Sequence, residues 1–452
     1  MPTLEVPKES LPGDAVRYGP EEIDTLVWLA VFGGEKERAS ARRAIRAAAS
    51  ARGILPASIL PLYEARARGE LSGFTVPAVN IRTLTYDTAR AVFRTAKKLS
   101  AGAFIFEIAR SEIGYTGQRP AEYAAVVLAA AVREEWDGPV FLQGDHFQTN
   151  AKKMKSDPAK EVKAIEDLIL EAMAASFYQI DIDTSTLVDL SRPELDAQQR
   201  PNYENAAHFT RFIRARQPKE VEISVGGEIG EVGKENSTPE ELRAYMEGYR
   251  KALGGDRGIA KVSIQTGSSH GGNVAADGSL KKMSVDFDAI RRISKIAREE
   301  YGMAGAVQHG ASTLPEADFG LFPEYDAAEI HLATGFQNMV FDHPALPVLL
   351  RETMYRWITD HAAADRKPGE TPEQFLYKAR KKALGPFKEA LWNLPVGTRK
   401  AIAGDLEEKF LFLFDRLKIS GTREAIARYV HPVEVPEGEV TGAFVRDDEA
   451  GD

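Results

Sequence analysis

The sequence predicts an α/β protein whose centre is a (β/α)8 (TIM) barrel, with helical extensions at both ends. Eight short apolar runs that read as strands are spread over the middle of the 452-residue chain. Helix-like segments stand between most of them, and alternating strands and helices are typical of a parallel sheet. The runs span about 270 residues, close to the ~250 residues typical of this fold. A doubly wound open sheet is the alternative, but it usually has fewer strands.

The predicted strands are mostly β-branched or aromatic and are apolar on both faces, as in a parallel sheet that is buried on both sides. They lie at residues 74–81, 103–109, 139–146, 177–183, 221–227, 260–266, 304–309 and 327–334. The helices between them carry start signals. DPAKEVKAIEDLILEAMAA opens with an Asp cap and a Pro, and STPEELRAYMEGYRKAL opens with a Ser/Thr cap, a Pro and two Glu residues.

The two flanks differ from the centre, so we divide the chain into three parts. Residues 1–70 are predicted to form an N-terminal helical extension and residues 71–345 the barrel. Residues 346–452 are predicted to form a C-terminal helical extension that ends in a frayed acidic tail. Such helices could pack under the barrel or mediate contacts between copies, and we expect a homo-oligomer.

Composition narrows the classes of function. Apolar residues make up 43% of the chain and charged residues 28%, and the net charge is −9. This charge argues against a nucleic acid or a membrane as partner, and the partner that we expect is a small molecule. No apolar run approaches the ~18 residues of a membrane span and no signal peptide is recognised, so we expect a cytoplasmic location. The chain has no cysteine, which excludes thiolate ligands and cysteine nucleophiles.

Three of the eight histidines follow predicted strands, each close to a glycine. His146 ends FLQGDH, His270 follows VSIQTGSS, and His309 ends AGAVQH. In a barrel the carboxyl ends of all strands meet at one mouth, where catalytic groups lie. Three imidazoles from three strand ends are the ligand set of an open catalytic metal site. The sequence therefore predicts a three-histidine metal centre at this mouth.

Carboxylates accompany these histidines. Asp145 precedes His146, and a turn at the strand end would let the histidine face a metal and the aspartate face a substrate. The alternative is a helix-capping aspartate beside a surface histidine. Glu228, Glu231 and Glu235 lie in GGEIGEVGKEN after the fifth strand, a loop that could carry a proton-transfer carboxylate or could simply be a solvated acidic loop.

Several further residues follow the strands. Asp181 and Asp183 in IDIDTS could orient a ligand or cap a helix, and His331 could also face the site. The glycine-rich loop after His270 could bind an anion, because loops after the later strands of this fold often bind phosphate. A flexible turn is the alternative reading of that loop.

These motifs together resemble the class II, zinc-dependent ketose-bisphosphate aldolases. The likeness rests on DH after strand three, Gly-Glu-Ile-Gly after strand five, HG after strand six and HGAS after strand seven, and it covers roughly residues 55–345. The strand FTVPAVNI, with Asn80, is similar to the first strand of that family. HGAST replaces the usual HGGSG, and His331-Leu332-Ala333-Thr334 replaces the usual Asn-x-Asp-Thr.

The resemblance implies a role for each matching residue. His146, His270 and His309 would bind Zn²⁺ or another divalent metal, with Glu228 close to it. Asp145 would handle the proton of the substrate C4 hydroxyl, and Glu235 would be the loop carboxylate. The residues implied in substrate or phosphate binding are Asn80, Gly271, Gly272, Gly310, Ser312 and Thr334.

The implied activity is the reversible retro-aldol cleavage of a phosphorylated ketose through a zinc-stabilised enediolate. The expected substrate is fructose 1,6-bisphosphate, which yields dihydroxyacetone phosphate and glyceraldehyde 3-phosphate. Such chemistry needs no Schiff-base lysine, and the nearest candidates, Lys261 and Lys281, have no supporting motif.

Two other functions stay open. The segment IGYTGQRPAEY also resembles the non-catalytic, chaperone-like subunit of tagatose-bisphosphate aldolase. A different metal enzyme on the same barrel, such as a hydrolase, is a further alternative, although the first predicted strand lacks the His-x-His pair that such enzymes often use.

Overall fold

The computed structural model describes residues 18–230, 235–267, 275–277 and 284–436. Eight parallel strands form a closed barrel in chain order, and strand eight pairs with strand one. The strands are β1 (Val76–Asn80), β2 (Ile105–Ala109), β3 (Leu142–Gln148), β4 (Gln179–Asp183), β5 (Ser224–Glu228), β6 (Lys261–Ile264), β7 (Ala306–Gln308) and β8 (Glu329–Leu332). Each of the eight predicted runs overlaps one of these strands, so the predicted barrel is confirmed.

Helices cover the outside of the barrel, as parallel strands require connections that cross back over the sheet. They are α4 (Thr85–Leu99), α5 (Arg110–Thr116), α6 (Pro120–Arg133), α7 (Ala151–Ser156), α8 (Pro158–Ala174), α9 (Leu195–Arg216), α10 (Pro239–Leu253), α11 (Phe287–Glu299), α12 (Leu321–Glu324) and α13 (Thr334–Phe341). The helix-start signals predicted from the sequence are confirmed at α8 and α10. The side chain of Asp157 accepts a hydrogen bond from the Lys160 amide at 3.1 Å, and Thr238 and Glu241 form a capping box.

Helical segments precede and follow the barrel. Before it lie α1 (Pro20–Phe32), α2 (Glu35–Ser50) and α3 (Leu60–Ala67). After it lie α14 (Val348–His361), α15 (Pro372–Ala379), α16 (Lys388–Trp392), α17 (Val396–Arg416) and α18 (Arg423–Tyr429). Most of the expected acidic tail, residues 437–452, lies outside the described residues.

Both extensions pack on the outer helices of the barrel. The N-terminal helices α1 and α2 contact α6, and α17 lies along α4. Arg94 on α4 pairs with Glu407 on α17 at 2.7 Å, and Phe32 packs edge-on against Trp392, with ring centroids 5.5 Å apart. The extensions therefore form one packed body with the barrel. Across the described ranges, no helix is long and apolar enough to span a lipid bilayer.

Candidate functional site

A cavity of about 500 Å³ opens at the carboxyl ends of the strands. Its size is within the ~300–1,000 Å³ range of small-molecule sites. Asp145, His146 and His309 line it, together with Gly310 and residues that follow β1 to β4 and β8. The cavity lies where a barrel of this kind carries its catalytic groups.

Two of the three predicted metal ligands meet in this cavity. The rings of His146 and His309 have centroids 4.0 Å apart, and the Nδ1 atom of His146 lies 3.2 Å from Oε2 of Glu228. One ligand atom from each of these three residues lies within 4.8 Å of the others. Imidazole nitrogens with one carboxylate oxygen are a donor set that suits a divalent transition metal. His270, the third predicted ligand, lies outside the described residues.

A break in the strand pattern brings both Asp145 and His146 to the cavity. Successive side chains of a regular strand point to opposite faces. The pairing of β3 with β4 shifts register between Gly144 and Phe147, and His146 has a φ of 40°. A β-bulge with one left-handed residue redirects the side chain there, as bulges near active sites do.

The Asp183 carboxylate contacts the His146 ring at Nδ1 and orients it. Its Oδ2 atom lies 3.0 Å from Nδ1 of His146, and its Oδ1 atom accepts hydrogen bonds from the amide and hydroxyl of Ser185 at 3.0 and 2.7 Å. Burial and the nearby Asp183 carboxylate raise the pKa of Glu228 to about 7. Two buried carboxylates therefore flank the same ring nitrogen of His146.

His331, at the end of β8, faces the same cavity and lies next to Asp145. Its Nδ1 atom is 2.9 Å from Oδ1 of Asp145, and its Nε2 atom is 2.6 Å from Oε1 of Glu329. Burial alone would lower the pKa of His331, but the carboxylates of Glu107 and Asp145 outweigh it and raise the pKa well above its ordinary value. A protonated ring donates from both nitrogens, which matches its two carboxylate neighbours.

Beneath these residues the barrel interior is polar. The ammonium group of Lys261 lies 2.8 Å from Oε1 of Gln143 and 2.8 Å from Oδ2 of Asp181, and it also pairs with Glu329. Tyr63, on the N-terminal helix α3, donates a hydrogen bond to the same glutamate. Barrels of this type are usually filled by Val, Ile and Leu, so this buried charged layer departs from the expected apolar core.

The environment of Lys261 excludes it as a Schiff-base amine. Burial alone would lower its pKa, but Asp181 and Glu329 raise the pKa above the ordinary value. Only 1% of its side chain is exposed, and it does not line the cavity. The lysine is therefore a protonated partner in a buried ion network rather than a nucleophile.

The predicted substrate contacts divide into two groups. Gly310, with a φ of 66°, Ser312 and Thr334 line the cavity. Asn80 is buried and donates a hydrogen bond to Glu112, so it lies behind the cavity wall. Gly271 and Gly272 lie outside the described residues.

Glu235, the predicted loop carboxylate, is exposed and does not line the cavity. Glu231, on the same loop, lies outside the described residues. Asp145 therefore lies beside the candidate metal ligands His146 and His309, whereas Glu235 lies away from them.

Several cavity residues were not identified from the sequence. Arg82 reaches the wall and donates from Nε to Glu112 at 2.7 Å and from Nη1 to Thr334 at 3.2 Å. Lys153 follows β3, and Lys381 comes from a 3-10 segment (Arg380–Ala383) in the C-terminal extension. No strand-end motif marks Lys381, because only tertiary packing brings its segment to the cavity.

Two solved structures are similar to this chain at low sequence identity. A solved fructose-bisphosphate aldolase from Campylobacter jejuni is 17% identical over 79% of this chain and 93% of that one, with a TM-score of 0.48. A protein from Sinorhizobium meliloti described as a probable tagatose 6-phosphate kinase is 16% identical over 78% of this chain and 98% of that one, with a TM-score of 0.50. At 16% identity, the likeness to the second protein shows the fold alone. A search of curated protein sequences returned no match.

A comparison of the sequence with protein-family models shows the family as well as the fold. The sequence model described as "Fructose-bisphosphate aldolase class-II" matches residues 63–391, which is well over half of the chain. This range takes in all eight strands and the cavity residues described above. The chain therefore belongs to the class-II fructose-bisphosphate aldolase family.

Proposed function

We propose that this protein is a metal-dependent aldolase that cleaves the C3–C4 bond of a phosphorylated ketose. The expected reaction converts fructose 1,6-bisphosphate to dihydroxyacetone phosphate and glyceraldehyde 3-phosphate. One observation carries the proposal. Asp145, a candidate base, lines the same cavity as His146 and His309, and its Oδ1 atom lies 3.6 Å from Nε2 of His146.

His146 and His309 would hold the metal, with Glu228 beside it and His270 as the proposed third histidine. We expect Zn²⁺, although another divalent metal suits the same donors. A bound ion supplies Lewis-acid polarisation of the ketose carbonyl, which is worth several kcal/mol. Asp183 would keep the His146 ring in the orientation that ligation needs, as carboxylates behind ligating histidines commonly do.

Asp145 would accept the proton of the C4 hydroxyl. As this proton leaves, the C4 oxygen forms the aldehyde carbonyl, the C3–C4 bond breaks, and its electron pair passes to C3. The carboxylate is held by His331 at 2.9 Å, so it meets the substrate in a fixed orientation. A proton must then return to C3. We keep Glu235 as its proposed donor, and the exposed carboxylate has to approach the cavity for this step.

The residues after β7 and β8 would bind one phosphate of the substrate. Gly310 and Ser312 belong to the HGAST segment, and Thr334 begins α13 beside them. Backbone amides near glycine and small hydroxyl side chains suit phosphate oxygens. Gly271 and Gly272 are the further proposed contacts.

A retro-aldol assay tests the proposal. The purified protein is assayed on fructose 1,6-bisphosphate, tagatose 1,6-bisphosphate and sedoheptulose 1,7-bisphosphate, with and without a chelator. We expect cleavage of at least one sugar, its loss with the chelator and its return with Zn²⁺. Full metal occupancy without cleavage of any of the three would contradict the proposal. If the protein also co-purified with a separate aldolase chain, the non-catalytic subunit would become the better assignment.

A further inference from the structure

A second cavity, of about 390 Å³, opens at the end of the barrel opposite the mouth that holds Asp145. Ile259 and Ala260 line it and directly precede β6, and Tyr301 lines it shortly before β7. Because the eight strands are parallel, these segments lie at the amino ends of the strands. Helices α3 and α10 and the loop after α10 form the other walls. The volume falls within the ~300–1,000 Å³ range of small-molecule sites.

The interior of this second cavity is apolar and aromatic. The buried side chains that line it are Leu60, Tyr63, Met246, Tyr249, Leu253, Ile259 and Tyr301. The hydroxyl groups of its three tyrosines donate hydrogen bonds to Glu329, Thr210 and Glu247. The tyrosines therefore offer their rings rather than their hydroxyl groups to a ligand, which suits an apolar or aromatic molecule.

One guanidinium group in the wall of the second cavity has no carboxylate partner. Arg257 pairs with both Glu64 and Glu222. Arg250, in contrast, forms no ion pair with any carboxylate of the described residues. Its Nη2 atom donates to the carbonyl oxygen of Tyr301 at 3.0 Å, and the group lies over the Tyr301 ring, 4.7 Å from its centroid. These two contacts orient the guanidinium group of Arg250 and leave its charge without a carboxylate counterion.

A single unpaired guanidinium suits a ligand with one negative charge. The carboxylates of Glu64 and Asp256 line the same cavity and would repel a dianion such as phosphate. The planar guanidinium group matches the two oxygens of a carboxylate with two parallel N–H groups. The charge of Arg250 and the apolar interior together indicate a small carboxylate with an apolar or aromatic body.

Tyr63 connects the second cavity to the catalytic mouth. Its hydroxyl donates to Oε2 of Glu329, and Oε1 of the same glutamate lies 2.6 Å from Nε2 of His331. The Nδ1 atom of His331 in turn lies 2.9 Å from Oδ1 of Asp145. Three successive contacts therefore join a wall of the second cavity to the proposed base. A ligand that displaces the Tyr63 ring acts on the first of these contacts.

A second connection runs through β6. Ala260 lines the second cavity, and Lys261 follows it directly in the chain. The ammonium group of Lys261 pairs with Glu329, so both connections meet at this glutamate. A displacement of either wall therefore acts on the residue that orients His331.

We propose that the second cavity binds a small carboxylate with an apolar or aromatic body, and that its occupancy changes activity at the catalytic mouth through Tyr63 and Glu329. Arg250 receives the carboxylate, and the tyrosine rings and aliphatic side chains pack against the body. A ligand acts on a distant site only where it binds two arrangements of the protein with different free energies. Here the arrangements differ in the position of the Tyr63 ring relative to Glu329. The binding site stands apart from the proposed aldolase function, and only its effect on cleavage rests on that function.

Calorimetry on the purified full-length protein tests the binding site. The probe is 3-phenylpropionate, and the uncharged 3-phenylpropanamide is its counterpart. We expect Arg250→Gln to weaken binding of the carboxylate about tenfold or more, as for the loss of one hydrogen bond to a charged group, and the wild type to prefer the carboxylate to the amide by a similar factor. Arg243→Gln is the matched control, because Arg243 lies two turns earlier on α10, pairs with Glu300 at 2.7 Å and does not line the cavity.

The melting temperature of each variant is measured first, so that misfolded protein is set aside. No binding of the probe to the wild type would overturn the site. Equal affinity of the wild type and Arg250→Gln for the carboxylate, or equal affinity of the wild type for the carboxylate and the amide, would overturn it as well.

The connection to the mouth is tested with Tyr63→Phe, which keeps the ring and removes the hydroxyl donor. Saturating 3-phenylpropionate should change kcat/KM of the wild type about fivefold or more, the lower end of typical coupling between sites. The variant should bind the probe with wild-type affinity but show no change in kcat/KM. An unchanged wild type, an equal change in both proteins, or loss of binding in the variant would overturn the connection.

Hydrogen–deuterium exchange follows the same connection without requiring activity. The probe should alter exchange in the peptides that carry Asp145 and His331 in the wild type and leave them unaltered in Tyr63→Phe. If the wild type cleaves no ketose phosphate, the proposed aldolase function fails, and calorimetry and exchange alone decide this inference. Probe binding without any change of exchange in these two peptides would then overturn the connection.

Discussion

The Nδ1 atom of His331 lies 2.9 Å from the Oδ1 atom of Asp145 and joins the ends of β8 and β3 across the mouth of the barrel. On its other side the ring meets Glu329 at 2.6 Å. His331 therefore orients Asp145, the proposed base, and Glu329 in turn orients His331. We expect His331→Ala to lower kcat roughly 10- to 100-fold, the usual effect of losing a supporting contact, while bound metal stays unchanged.

The matched control for His331→Ala is His208→Ala, which removes a half-exposed histidine that pairs with Glu166 at 2.9 Å, away from the cavity. Metal analysis and steady-state kinetics on both variants check the prediction. A His331 variant with normal kcat would show that Asp145 needs no such support.

Asp145 and His309 should separate catalysis from metal binding. Asp145→Ala should keep its metal and lose about 10²- to 10⁴-fold in turnover, as expected for a proton-transfer group. His309→Ala should lose metal. The centroid of the His309 ring lies 4.0 Å from that of the His146 ring, and His309 belongs to the candidate ligand group with His146 and Glu228. Metal content by mass spectrometry and retro-aldol rates distinguish the two. Normal cleavage by both variants would make the assigned roles wrong.

Lys261→Met should destabilise the fold. The substitution removes the ammonium group that pairs with the buried carboxylates of Asp181 and Glu329, and breaking a buried pair from one side typically costs about 3–5 kcal/mol. Lys163→Met is the control, since its exposed pair with Asp167 on α8 is worth at most ~1 kcal/mol. The free energy of unfolding in urea checks both. Equal effects would mean that the buried network contributes little.

Gly226→Ala tests the space inside the barrel. A Cβ atom at this position would lie 2.3 Å from Oδ1 of Asp181 and 3.0 Å from Cε of Lys261, so the buried network would have to shift. We expect a loss of about 1–3 kcal/mol, the usual effect of overpacking. Gly255→Ala meets no atom within 4 Å and should change stability by less than ~0.5 kcal/mol. If the two variants unfold at the same urea concentration, the interior has more room than the distances indicate.

The barrel and its mouth could be predicted because their signals are local. Strands of three to seven residues leave short apolar runs, and a histidine at the end of such a run is placed by the fold itself. That reasoning located His146 and His309 and put Asp145 beside them. The expected homo-oligomer and cytoplasmic location stay predictions.

The polar interior could not be predicted, because each buried charge depends on partners far away in the chain. Lys261 and Glu329 are 68 residues apart in sequence, and nothing near either residue shows that its side chain points inward. The same limit applies to Lys381, which reaches the cavity only because its segment docks on α5. Long-range packing, rather than local pattern, determines these positions.

The hydrogen bond from Tyr63 to Glu329 has a consequence for how far this chain can be shortened. Tyr63 belongs to a helix that precedes the first strand. A fragment trimmed to begin at Val76 would retain all eight strands, yet the glutamate beneath His331 would lose its phenol donor. The smallest chain that keeps Asp145 in its native setting must therefore start before the barrel does.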